Sequence, residues 1–125
     1  MDLEKIKLRL KSLGYETTVE DEFALNFVMD SVEQYIKHFC NIKEIPDCLE
    51  CVFVDMCCGR FLKDKKSTGQ LSTIEFDEVV KQIIDGDTTV SFQAGTDNET
   101  IFNSYIDKLI NGYTDSLLAH RKLLW

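Results

Sequence analysis

The stretch Asp21-Glu22-Phe23-Ala24-Leu25-Asn26-Phe27-Val28-Met29-Asp30-Ser31-Val32-Glu33-Gln34-Tyr35-Ile36-Lys37-His38-Phe39-Cys40 decides the fold class. Phe23, Phe27, Val28, Val32, Tyr35, Ile36 and Phe39 recur at the spacing that lines apolar side chains along a helix. Glu20, Asp21 and Glu22 stand where the positive end of the helix dipole favours acids, and Thr18 or Asp21 is suited to cap the first turn. The spacing therefore predicts a core helix running to about residue 40. Its aromatic stripe, Phe23, Phe27, Tyr35 and Phe39, reads as core.

The same period continues outward. Upstream, Leu3, Ile6, Leu10 and Leu13 form one apolar stripe, with Lys5, Lys7, Arg9 and Lys11 mostly off it, and Gly14 supplies a stop. Downstream, residues 41–45 read as a connector, and Pro46 opens the next helix, where its missing N–H costs nothing. Leu49, Val52, Phe53, Met56, Cys57 and Phe61 line the buried side of that helix. Lys63, Lys65 and Lys66 suit its C-terminal end, and Ser67-Thr68-Gly69 breaks it.

Residues 70–95 change character. Val79-Val80-Lys81-Gln82-Ile83-Ile84 is rich in β-branched residues, Asp85-Gly86-Asp87 is a turn signal, and Thr88-Thr89-Val90-Ser91-Phe92 alternates polar and apolar. This predicts a short β-hairpin, which needs a helix or another subunit to cover it. After a second loop, Thr96, Asp97 or Asn98 caps a last helix carrying Ile101, Phe102, Tyr105, Ile106, Leu109, Ile110 and Tyr113, weakened at Gly112. The chain ends Arg121-Lys122-Leu123-Leu124-Trp125, an apolar terminus with an aromatic anchor beside two bases. The expected fold is mainly α: residues 1–125 as a single domain, a small helical bundle of roughly four to five helices with a short β-hairpin inserted before the last helix.

The formal charge is −8, from 22 acids and 14 bases. Gripping nucleic acid needs a basic face, so that task is disfavoured. The charge is also uneven: residues 16–50 hold nine acids against two lysines, and residues 1–14 hold four bases against two acids. Such polarity is either solvated helix surface or a device that orients neighbouring subunits. No apolar signal core follows Met1-Asp2-Leu3-Glu4-Lys5 and no membrane span is evident, so a cytosolic chain is expected. The five cysteines then read as reduced thiols.

Cys48-x-x-Cys51 followed by Cys57-Cys58 is the most tempting chemical feature. Zinc sites pair two such clusters across about a dozen residues or more, whereas these fall on one predicted helix. His38 and His120 are not at ligand spacing, so small apolar thiols in a core are the expectation. Asp85 and Asp87 flank a glycine as in a turn, not as in a calcium loop. No phosphate-binding, nucleophile-elbow or zinc-protease motif is present. Neither catalytic, cofactor nor metal residues are assigned, and no enzyme activity is expected.

Four pieces of sequence stand in a recognisable order. They are Leu8-x-Leu10-x-x-Leu13-Gly14 with the acidic start Glu20-Asp21-Glu22-Phe23; Tyr35-Ile36, Asn41, Ile45-Pro46 and Leu49 before the helix over residues 52–62; Ile84-Asp85-Gly86-Asp87-Thr88-Thr89-Val90-Ser91-Phe92; and residues 109–113 with Arg121-Lys122-Leu123. Together they resemble the head–tail connector (head-completion or adaptor) family of tailed bacteriophages and prophages. The cysteine-rich third helix departs from that pattern. The resemblance implies a structural subunit that forms a ring of about twelve copies beneath the portal protein. Such a ring extends the DNA channel, lets DNA pass without specific binding, and docks the next head-completion or tail protein. The subunit would occupy the bacterial host cytoplasm during assembly and then the virion. Partner contacts are expected at Ile84, Gly86, Asp87, Val90, Phe92, Arg121, Lys122 and Trp125. Alternatives from the residues themselves are a small cytosolic helical protein-binding or regulatory module of prophage origin, and a thiol-based metal-binding protein.

Overall fold

A computed structural model describes residues 3–69, 71–86 and 98–121, with backbone only at Asp85 and Gly86. The order is α1 (Leu3–Ser12), α2 (Asp21–Cys40), one 3₁₀ turn (Asp47–Leu49), α3 (Glu50–Ser67), α4 (Thr73–Gly86), α5 (Asn98–Asn111) and α6 (Thr114–Ala119). The hub is α3. Val52, Phe53, Val54, Met56, Cys57, Cys58, Gly59, Phe61 and Leu62 are all buried along it. A helix apolar on every side must be surrounded, and α1, α2 and α5 pack around this one, with α4 on α5 and α6 on α2.

The helix ends follow sequence chemistry closely. Gly14 adopts φ 87°; its N–H donates to Lys11 O at 3.0 Å and the Tyr15 N–H to Leu10 O at 2.9 Å. This is a Schellman stop, and Leu10 and Tyr15 bury its apolar contact. Asn41, at φ 55°, ends α2 with the same pair of bonds, to His38 O and Lys37 O. The predicted last helix divides at Gly112–Tyr113 into α5 and α6. There a Cβ on Gly112 would lie 2.3 Å from Lys108 O.

Gly59 sets the α3–α5 approach, because a Cβ there would meet Leu109 Cβ at 2.8 Å and Ile110 Cγ1 at 3.1 Å. Gly59→Ala is expected to lower stability by about 1 kcal/mol despite alanine's better helix propensity, as read by denaturant unfolding. Gain of stability would show that the helices have room to separate.

Two expectations are corrected. Residues 79–86 form the second half of α4 and no strand is present among the described residues, so there is no hairpin arm there. Phe76, Val79, Val80, Ile83 and Ile84 fall at i, i+3, i+4, i+7 and i+8, one face of a helix, with Val79, Val80 and Ile83 buried. Packing of that face overrides the β preference of branched residues, which is context-dependent. The overlooked start signal is Ser72-x-x-Glu75. Ser72 Oγ accepts the Glu75 N–H (3.1 Å) and donates to Glu75 Oε1 (3.0 Å). Ser72→Ala should cost about 1 kcal/mol in the same unfolding assay, while an unchanged midpoint would show the cap to be idle. Asp87 and residues 88–92 lie outside the described residues.

The second correction concerns α2. Its buried face is Asp21, Leu25, Val28, Val32, Ile36 and Cys40. Phe23 and Phe27 are on the outside, and Tyr35 is about half exposed.

Three of the four bases of α1 are engaged within the chain. Lys5 pairs with Glu50, Lys7 with Glu22 (3.0 Å) and Arg9 with Asp55 (2.9 Å). The uneven charge seen in the sequence therefore helps seat α1 on α2 and α3, although solvent screening keeps each exposed pair weak.

Candidate functional site

The feature that most needs an explanation is the outer face of α2. Val19, in the turn just before α2, and Phe23 and Phe27 on it, spaced four residues apart, are 84%, 82% and 62% exposed. Two exposed phenylalanines on one helix row leave a large apolar area in water. Beside them, between α2 and the end of α3, lies a groove of about 240 Å³ lined by Phe23, Ala24, Phe27, Val28, Phe61, Asp64, Lys65 and Thr68. A second opening of about 520 Å³ separates the α1–α2 connector from the start of α4. Ile74, 82% exposed, stands on it with Glu16, Glu20, Glu75 and Glu78. Acids thus surround Ile74, whereas the Phe23–Phe27 groove carries one acid, Asp64, and one base, Lys65.

A buried charge cluster lies beside this face and shares Lys65 with the groove. Asp21 is 5% exposed. Its Oδ2 accepts the Tyr15 hydroxyl (2.9 Å) and the Thr18 N–H (3.1 Å), and its Oδ1 accepts Lys65 Nζ (2.9 Å). Burial pushes the Asp21 carboxyl up, but the Lys65 ammonium and the Thr18 and Tyr15 donors outweigh it, leaving the group below the usual carboxylate range. Lys65 is raised, its burial outweighed by Asp21 and Tyr15. Tyr15 is pushed up to about 12, first by burial and then by its bond to Asp21. The α1–α2 connector, the α2 start and the α3 end are pinned at one point, and Tyr15 also packs edge-on against Phe61 at 5.6 Å.

A second cluster ties α1 to α3 and to α5. Arg9 Nε donates to Asp55 Oδ1 (2.9 Å), Arg9 Nη2 to Tyr105 Oη (3.2 Å), and the Tyr113 hydroxyl to Asp55 Oδ2. Burial and that last bond push Tyr113 up to about 12. Every charge here is met by another member, which suits a structural cross-link.

Of the partner contacts expected from sequence, Ile84 is half-buried against the core and Gly86 ends α4. Arg121 is exposed, its guanidinium 5.8 Å from the Phe39 ring centroid. Asp87, Val90, Phe92, Lys122 and Trp125 lie outside the described residues. Cys40, Cys57 and Cys58 are buried, whereas Cys48 and Cys51 are exposed. Among the described residues no group of three or more His, Cys, Asp or Glu side chains is placed to hold a metal ion, and no helix is long and apolar enough to cross a membrane.

Val19, Phe23, Phe27 and Ile74 were missed as surface residues. The signal was available: the 19-23-27 row is distinct from the 25-28-32-36 row, so the apolar arc of α2 is too wide for one buried stripe.

No family model matches the chain, and comparison with curated proteins and with solved structures returns no match.

Proposed function

We propose that this chain is a structural assembly subunit that docks on a partner through the outer face of α2, and that the assembly is a phage or prophage head–tail connector. The exposed Val19-Phe23-Phe27 row carries the docking half of this reading. Aromatic anchors beside a groove are the residues that dominate protein–protein affinity. The Asp21–Lys65–Tyr15 cluster beside them pins the start of α2 to the end of α3 before the partner arrives, which lowers the entropic cost of binding.

The connector half rests on the sequence resemblance: the order of the acidic start, the Ile45-Pro46 junction, the Gly86-Asp87 segment and the Arg121-Lys122 end. In this reading the subunits form a ring of about twelve beneath the portal protein. They extend the DNA channel, with DNA passing unbound, and receive the next head-completion or tail protein. No reaction is catalysed. The subunit works in the host cytoplasm and then in the virion.

Native mass spectrometry of the full chain mixed with the portal ring of the same phage or prophage tests the proposal. A stoichiometric ring of chains on the portal is expected. Failure to associate with an intact portal under any condition would overturn the connector reading.

A further inference from the structure

The fold brings together two side chains that the sequence keeps 72 positions apart: Cys48 Sγ lies 3.1 Å from His120 Nε2. His120 Nδ1 lies 2.9 Å from Ser116 O. A carbonyl oxygen only accepts, so Nδ1 carries the ring proton. Nε2 of the neutral imidazole is then the acceptor, and the Cys48 thiol donates to it. A nucleophile bonded to a base that is itself oriented by a third group is the arrangement that activates cysteine. Cys48 also sits in the 3₁₀ turn that feeds the start of α3. It is exposed, and so is Cys51.

Cys51 follows at i+3 across the junction of 3₁₀ and α helix. Side chains three apart overlie in a 3₁₀ turn, and their Cα atoms are about 5–6 Å apart in either helix, inside the range a disulfide accepts. The other three thiols contrast sharply. Burial pushes Cys58 up to about 12 and raises Cys57 and Cys40 as well.

We propose that Cys48, with His120 as its base and Cys51 as the resolving thiol, is a modification site for small-molecule disulfides. The Cys48 proton passes to His120 Nε2 and the thiolate attacks one sulfur of the disulfide. The sulfur–sulfur bond breaks, the leaving thiolate takes up a proton, and a mixed disulfide remains on Cys48. The Cys51 thiol then gives up its proton, its sulfur attacks the Cys48 sulfur, the mixed disulfide breaks, and the second small thiolate leaves and takes up a proton. Overall the chain loses two protons and two electrons, and one disulfide is reduced to two thiols. Oxidation removes the donor that holds His120, and with it one tie between the 3₁₀ turn and the end of α6. The α6 region stays tied to α2 by the Cys40 Sγ bond to Leu117 O at 3.3 Å and by Arg121 over Phe39.

Alkylation of the reduced full chain, followed residue by residue by peptide mass spectrometry, is the test. Cys48 should react at least about tenfold faster than Cys51, and His120→Gln should remove that advantage while leaving the Cys51 rate unchanged. Oxidised glutathione should produce a Cys48–Cys51 disulfide, and Cys51→Ser should trap the mixed disulfide at Cys48. Equal rates for the two thiols, an unchanged Cys48 rate in His120→Gln, or stoichiometric zinc retained on the reduced chain would each overturn the assignment.

Discussion

Asp21→Ala is expected to destabilise the protein by about 3 kcal/mol, because removing one partner of a buried pair strands the other. The Lys65 side chain is only 16% exposed and keeps its charge with no carboxylate beside it. The buried Tyr15 hydroxyl and the Thr18 N–H lose their acceptor in the same step. At this chain length the melting midpoint should fall by roughly 10 °C. Asp21→Asn keeps an acceptor of the same shape and should lose less, about half as much. The pH dependence has a definite sign. Asp21 is held below its ordinary value of 3.8, so its contribution is present above that value and is lost as pH falls through the folded one. Tyr15 and Lys65 are raised, so theirs is present below their ordinary values and lost as pH rises through the folded ones. Between about pH 5 and pH 2 the wild type should therefore lose more stability than Asp21→Asn. Parallel curves would show that the cluster does not depend on the charge.

The second large effect is on assembly and leaves folding alone. Phe23→Ser with Phe27→Ser removes two mostly exposed rings, so the melting midpoint should hold, the stability change staying within about 0.5 kcal/mol. Buried at an interface, each ring is worth about 2 kcal/mol, so the double variant should bind its partner at least about 100-fold more weakly. The design separates two roles that core substitutions confuse. A double variant that melts early places the rings in the subunit's own core, and one that binds normally places the docking surface elsewhere.

How much of this was legible in the sequence differs element by element. Gly14, Asn41 and Thr68-Gly69 punctuated the helices where expected, because their signals are local. The Val79–Ile84 segment was misread because its branched residues suit both a strand and a helix face. The choice was made by the contact of α4 with α5 and by the Ser72 cap. The aromatic residues of α2 were placed in the core because hydrophobicity alone does not say which of two apolar rows faces inward. That is set by α3, whose own burial was visible in outline. Spacing offered no hint of the Cys48–His120 pair or the Asp21–Lys65 bridge, since both are made by helices that meet only in the folded chain.

Hydroxyl-radical labelling of Phe23 and Phe27, compared between the free chain and the portal-bound assembly, tests the docking face most directly. Both rings should label freely in the isolated chain, as their exposure requires, and should be protected at least about tenfold once assembled. Equal labelling in the two states would contradict the account.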